Sequence, residues 1–316
     1  MDFLGIIAVA ISIGIALFFL ITYICFYLTF CVPKDRSTEP PPLSIPEGKI
    51  YEPYRDTMIG WMKEIRAMPH TDVSITSFDG LKLCGKYFEY EKDAPIELMF
   101  HGYRGTAERD LCGGVQRCFA LGRSALIVDQ RASGQSEGSV ISFGVNESRD
   151  CLLWIDFILQ QINKDAKIIL TGISMGASTV LMASGRELPD NVVGVLADCG
   201  YTSAREIIKR VIRQMKLPAT LLYPFVKWGA KIYGTFDVEE FPPIEAVTYS
   251  RIPTLFIHGT TDDFVPHEMS VQNYEACSAP KHFVSVPGAG HGLALLVDKE
   301  GYLSALRDFF DPYLKP

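Results

Sequence analysis

The stretch that decides the fold is Lys167-Ile168-Ile169-Leu170-Thr171-Gly172-Ile173-Ser174-Met175-Gly176-Ala177-Ser178. It opens with a short apolar, β-branched run, the pattern of a strand buried on both faces. Ala177–Ser184, built from Ala, Ser, Leu and Met with one Thr and one Val, reads as a helix. Between the two lies Gly172-Ile173-Ser174-Met175-Gly176, of the form G-x-S-x-G. A sharp strand-to-helix turn needs small residues on either side of the serine, because the backbone passes close to its neighbours there. Such a turn lifts the hydroxyl of Ser174 above the sheet edge, where the helix N-terminus favours developing negative charge. Ser174 is therefore the candidate nucleophile.

Working outward, strand patterns recur at Val73–Phe78, Leu81–Tyr90, Ile96–His101, Ala125–Asp129, Val192–Ala197, Thr254–His258 and Phe283–Val286. Segments of helical period separate several of them, such as Glu147–Asn163 with Leu152, Ile155 and Ile158 on one face. Two antiparallel strands followed by β-α-β alternation predict an α/β chain with a mostly parallel, doubly wound sheet. In such sheets the chemistry collects at the carboxyl ends of the strands.

A serine needs a base. Of the six histidines, His101 and His258 each end a strand before a glycine and read as turn-shaping residues. His70 precedes the sheet, His282 begins a strand, and His267 follows Val265-Pro266 as a cap or surface residue. His291 stands in Pro287-Gly288-Ala289-Gly290-His291-Gly292, a glycine-flanked loop after the last strand that lets an imidazole reach over the sheet edge. The acid that orients it should follow another strand. Asp262 and Asp263 both follow Thr254–His258; Asp262 is preferred because it lies nearer the sheet end, with Asp263 and then Asp198 as alternatives. The acid accepts from imidazole Nδ1–H and stabilises the imidazolium. Two N–H donors are expected for an oxyanion: that of Met175, and that of Tyr103 in His101-Gly102-Tyr103-Arg104-Gly105. No metal or cofactor is called for.

With these motifs in the order His101-Gly102-Tyr103, Asp129-Gln130-Arg131-Ala132-Ser133-Gly134-Gln135-Ser136, elbow, His258–Pro266 and Gly290-His291-Gly292, the sequence resembles the α/β-hydrolase superfamily of serine hydrolases. It looks most like membrane-anchored bacterial members of the serine aminopeptidase-like and prolyl-oligopeptidase-like type, which Ala197–Ser203 also resembles. The resemblance implies the α/β-hydrolase fold with a helical cap, and structural roles for Asp129 and Arg131 beside the site. Gln130-Arg131-Ala132-Ser133 departs from those relatives, which often carry Arg-Gly-His there.

Composition accounts for the rest. The chain has 316 residues, 48% hydrophobic and 21% charged, with net charge −7. A pI near 5.4 and a net charge of −7 argue against nucleic acid as a partner. Mean hydropathy is +0.14, and its source is Phe3–Val32, a run without a charged, amide or imidazole side chain. As a helix these thirty residues reach about 45 Å, enough to cross a hydrocarbon core of ~30 Å. The run lacks a basic region before it and an A-x-A site after it, so it reads as a retained single-pass anchor rather than a cleaved signal. Lys34 and Arg36 follow it and Asp2 precedes it, which favours a cytoplasmic catalytic domain. Eight cysteines show no disulfide or metal spacing.

The expected organisation is an anchor over 1–32, a Pro-rich linker over 33–53 and a domain over 54–316, with a cap at about 201–253. The cap carries a basic stripe (Arg205, Lys209, Arg210, Arg213, Lys216) that reads as a solvated face or a membrane contact. The expected activity is hydrolysis of a small-molecule ester or short acyl substrate at the bilayer, through an acyl-enzyme on Ser174. The alternatives are an aminopeptidase-like amidase and a non-catalytic binding module on the same fold.

Overall fold

The computed structural model describes residues 3–33 and 42–315. Asp2, Lys34, Asp35, Arg36 and the first two of the three consecutive prolines, Pro40 and Pro41, lie outside the described residues. Eight strands form one sheet: β1 (Thr71–Thr76), β2 (Lys82–Phe88), β3 (Ile96–Phe100), β4 (Ser124–Val128), β5 (Ile168–Ile173), β6 (Val192–Asp198), β7 (Thr254–Gly259) and β8 (Lys281–Val286). Their order is β1-β2-β4-β3-β5-β6-β7-β8. β1, β2 and β4 pair antiparallel, and every pairing from β4 through β8 is parallel. All eight expected strands are present, with ends moved by up to two residues.

The helices are α1 (Phe3–Phe30), α2 (Arg55–Ala67), α3 (Ala107–Asp110), α4 (Cys112–Ala120), α5 (Val145–Phe157) and α6 (Met175–Ser184). They continue as α7 (Ala204–Gln214), α8 (Ala219–Tyr233), α9 (Pro243–Tyr249), α10 (His267–Ala276), α11 (Ala294–Val297) and α12 (Lys299–Leu314). Alternation of side chains along a strand loads both faces of the sheet. Ile168 and Leu170 join Trp154 and Val180 on one face, while Ile169 packs with Leu306 and Phe310 on the other. Every residue of β3, β4 and β7 is buried, which is why these strands read as unbroken apolar runs.

The exception within β3 is Glu97, fully buried with its carboxylate between Arg117 and Arg123 and accepting from Thr171 Oγ1 at 3.0 Å. Burial raises the pKa of this carboxyl, but the two guanidiniums outweigh it and hold the group ionised. Two cations on one buried anion tie β3, α4 and β4 together below the site.

α7, α8 and α9 fill the crossover between β6 and β7. The N-terminal helix is 28 residues long and apolar enough to cross a membrane. Its last turns are not separate from the domain. Phe26 and Phe30 are buried in a cluster with Ile141, Phe143, Val226 and Phe236. Cys31 bridges Val140 antiparallel, with Val32 N–H to Ser139 O at 2.9 Å and Ile141 N–H to Phe30 O at 2.9 Å. The described half of the Pro-rich segment also packs, with Ile45 buried beside Met58 and Met62. An anchor joined through a free spacer is thus too simple a picture: apolar side chains at both ends of that spacer have core positions to fill.

Candidate active site

Ser174 sits where β5 meets α6, at φ 57° and ψ −118°. That left-handed φ is costly for a residue with a Cβ, and the surrounding packing holds it. The two elbow glycines explain how. A Cβ on Gly172 would lie 2.1 Å from Gly176 O, and one on Gly176 would lie 2.1 Å from Phe100 O. Neither position has room for a methyl group. The turn therefore closes only with glycine, and the close approach to β3 fixes where the serine hydroxyl points.

His291 Nε2 is 2.9 Å from Ser174 Oγ, and His291 Nδ1 is 2.7 Å from Asp262 Oδ2. Three residues spread over 117 positions of sequence thus form one hydrogen-bonded line at the carboxyl ends of β5, β7 and β8. Phe264 covers the imidazole edge-on, with ring centroids 5.1 Å apart. The loops bearing the acid and the histidine are clamped together. Thr261 donates both N–H (3.0 Å) and Oγ1 (2.9 Å) to Ala289 O, and Thr260 N–H reaches Val286 O at 3.0 Å. A Cβ on Gly259 would strike Ala289 O at 2.2 Å, so this approach also requires glycine.

Between the two adjacent acids, the structure brings Asp262 to the histidine. Its Oδ1 accepts N–H bonds from Phe264 (3.0 Å) and Val265 (2.9 Å), leaving Oδ2 for the imidazoles. Asp263 instead offers its backbone carbonyl to Arg210 Nη2 at 2.6 Å. Asp198 is buried and accepts from Tyr302 Oη at 3.0 Å, while both His291 nitrogens are bonded to Ser174 and Asp262. Burial pushes the Asp198 carboxyl up. Burial also raises Asp262, but hydrogen bonds from His258 and His291 prevail and hold it well below the usual carboxylate range.

His258 is the partner that sequence reasoning missed. Fully buried, it places Nε2 3.1 Å from Asp262 Oδ2 and 3.0 Å from Val265 O, with Nδ1 2.7 Å from Ser270 Oγ. Its spacing of four residues before the acid was the available signal. The turn-shaping reading of His101 agrees with what is seen: Nε2 accepts from Gln130 N–H at 3.0 Å. His267 bonds Ser285 Oγ at 2.9 Å. Arg131 braces the neighbouring loop by bonding both carboxylate oxygens of Asp150 at 2.8 Å, and Asp129 accepts from Ala107 and Gln135 N–H.

Gly102 brings the end of β3 against the nucleophile: a Cβ there would lie 3.6 Å from Ser174 Cβ. The next residue, Tyr103, borders the cavities on both sides of Ser174, and Met175 borders one of them. On one side is a cleft of about 770 Å³ with Lys49, Arg109 and Asp110 in its wall, which Gly48 and Tyr51 of the former spacer also line. On the other is an apolar cavity of about 390 Å³ under α7 and α8. Cys199 Sγ, Asp262 and His291 lie within 4.8 Å of one another, close enough to share a metal. Their donors are already committed: both imidazole nitrogens are bonded, and burial raises the Cys199 thiol far above its ordinary value.

A parallel sheet entered by an antiparallel pair, with a strained serine elbow between strand and helix, is the arrangement of the α/β-hydrolase fold, and the chain has that fold. The family described as the alpha/beta hydrolase fold matches residues 98–235. The chain is 28% identical to the Bacillus subtilis protein YqkD over 192 residues, 60% of this chain and 63% of that protein, somewhat less than two thirds of its length. It is 27% identical over 193 residues to the Saccharomyces cerevisiae membrane protein YNL320W, covering 60% and 61% of the two chains. Among solved structures, the Pyrococcus furiosus esterase Pf2001 superposes with a TM-score of 0.66 at 21% identity, over 87% of this chain and 98% of that one.

Proposed function

We propose that this protein is a membrane-anchored serine hydrolase that cleaves carboxylic esters through an acyl-enzyme on Ser174. The observation that carries the reading is the unbroken line from Ser174 Oγ through both nitrogens of His291 to Asp262 Oδ2. In it His291 takes the hydroxyl proton as Oγ bonds to the ester carbon. Asp262, ionised and fixed by four hydrogen bonds, orients the imidazole and stabilises its cationic form. The N–H groups of Tyr103 and Met175 receive the oxyanion, each worth roughly 3–4 kcal/mol of barrier. Collapse breaks the ester C–O bond, and His291 returns its proton to the departing alcohol. Water then attacks the acyl carbon with His291 as base, releasing the carboxylic acid and restoring Ser174. All of this uses side chains and backbone of the chain itself.

The anchor assignment rests on the length and apolarity of α1, whose N-terminal half is exposed to its surroundings. With Lys34 and Arg36 just after it, the catalytic domain is assigned to the cytoplasmic side. A fluorophosphonate probe tests the activity directly. Labelling of the wild type that disappears in Ser174→Ala is expected, and no labelling of folded wild type overturns the reading. Comparison of p-nitrophenyl esters with aminoacyl-anilides tests the bond type; faster anilide cleavage would replace the esterase with an amidase.

A further inference from the structure

α1 is about 42 Å long, some 12 Å more than a ~30 Å hydrocarbon core requires. The domain packs on its C-terminal half. Phe18 meets Phe225 with ring centroids 5.8 Å apart, and Tyr233 Oη donates to Phe19 O at 3.1 Å. A Cβ on Gly229 would lie 2.8 Å from both Phe26 Cβ and Thr22 O, so α8 lies directly on the backbone of α1. With α1 across the bilayer, α8 and the turn before it would lie at the membrane surface. They carry exposed apolar side chains, with Leu221 63%, Met215 61% and Trp228 52% accessible. Exposed Arg213 and Lys216 flank Met215, a mixture suited to headgroups above and acyl chains below.

The apolar cavity joins this surface to the nucleophile. One wall is α1 itself, through Cys25, Leu28 and Thr29. Ile208, Val211 and Ile212 of α7 also line it, as do Ser174 and Met175. Leu28, Met215 and Leu217 border the cavity and are themselves exposed, so its mouth opens between α1 and the α7–α8 turn. The cleft that carries Lys49, Arg109 and Asp110 also borders Ser174. An ester held at the serine would then have its hydrocarbon in the apolar cavity and its other end near these charged side chains.

We propose that the substrate is an amphiphilic ester resident in the bilayer, whose single acyl chain enters between α1 and the α7–α8 turn and lies in this cavity. α1 is then a wall of the binding site as well as a tether. This rests on the serine-hydrolase reading and specifies its substrate. A cavity of about 390 Å³ with almost wholly apolar walls gains more from a long chain than from one of a few carbons.

The test uses full-length protein in phospholipid nanodiscs with the butyrate and palmitate esters of 4-methylumbelliferone. The expected kcat/KM for palmitate exceeds that for butyrate by about tenfold or more, from added apolar burial. Val211→Trp, which fills the cavity, and Leu28→Trp, which narrows its mouth from a position that tolerates a membrane-interface aromatic, should each lower the palmitate-to-butyrate ratio by about tenfold. Palmitate ester placed in the protein's own disc should turn over faster than the same amount in separate discs. A wild type that prefers butyrate, a ratio unmoved in both Trp variants, or equal rates from own and separate discs would overturn the proposal while fluorophosphonate still labels Ser174. Absence of that label would instead remove the hydrolase reading, and this assignment with it.

Discussion

Tyr103 Oη donates to the backbone carbonyl of Thr29 at 2.7 Å, so the loop proposed to receive the oxyanion is bonded to the last turn of α1. Arg104 adds two more bonds, from Nη2 to Leu28 O and to Cys31 O, each 3.0 Å. Helix ends leave carbonyls unpaired, and these side chains satisfy three of them. The end of α1 and this loop are therefore tied to one another. Tyr103→Phe keeps the ring against Phe143 and removes only the hydroxyl bond. The expected loss is about 1 kcal/mol of stability, with no loss of fluorophosphonate labelling, measured by thermal unfolding in detergent.

The adjacent acids make a sharp pair. Asp262→Asn leaves His291 without a carboxylate to orient it, and kcat should fall by roughly 10⁴. Asp263→Asn should leave kcat within about threefold, since its interactions with Arg210 and Gln214 are made by the backbone carbonyl. Esterase rates on one short ester check both, and a larger effect at Asp263 would move the acid by one residue.

Asp262 also links stability to pH. Its folded pKa lies below the unfolded value of about 3.9, so its contribution is fully present above that value. The contribution declines as pH falls from about 5 towards the folded pKa. The stability gap between wild type and Asp262→Asn should accordingly be constant from pH 8 to 6 and narrow below pH 5, by urea unfolding. A gap that widens with acid would contradict the hydrogen-bonded, ionised carboxylate.

Glu97 offers a test of the buried charge cluster. Glu97→Leu leaves Arg117 and Arg123 buried without their anion, and should cost about 3–5 kcal/mol. Unfolding midpoints would show it.

At the helix crossing, Gly229→Val must push α8 away from Phe26 and Thr22. The expected outcome is a lowered unfolding temperature and faster proteolysis within 213–235, with α1 still in the membrane. Unchanged proteolysis would mean that α1 and α8 do not depend on this contact.

Much of this was legible locally. Buried parallel strands must be apolar throughout, turns that bring backbones together must use glycine, and a membrane span must exclude charge; each is a short-range chemical demand written in consecutive residues. Ser174, His291 and the pair Asp262-Asp263 stood out on the same grounds. The choice between those two acids was not decided by residue type, because both are carboxylates on one short loop. Phe264 and Val265 N–H groups and His258 decided it by holding the Asp262 carboxylate in place.

What α1 does within the domain depended wholly on the tertiary structure. Nothing in Phe3–Val32 records that Thr29 meets Tyr103, or that Leu28 shares a cavity with Val211. An apolar helix satisfies the same local rules whether it faces lipid or a cavity wall, since both environments are hydrocarbon. The sequence alone therefore pointed to a hydrolase-type sheet, a candidate nucleophile and a long apolar helix. Contacts within 258–265 selected the acid that meets His291, and packing across more than seventy positions joined that helix to the site.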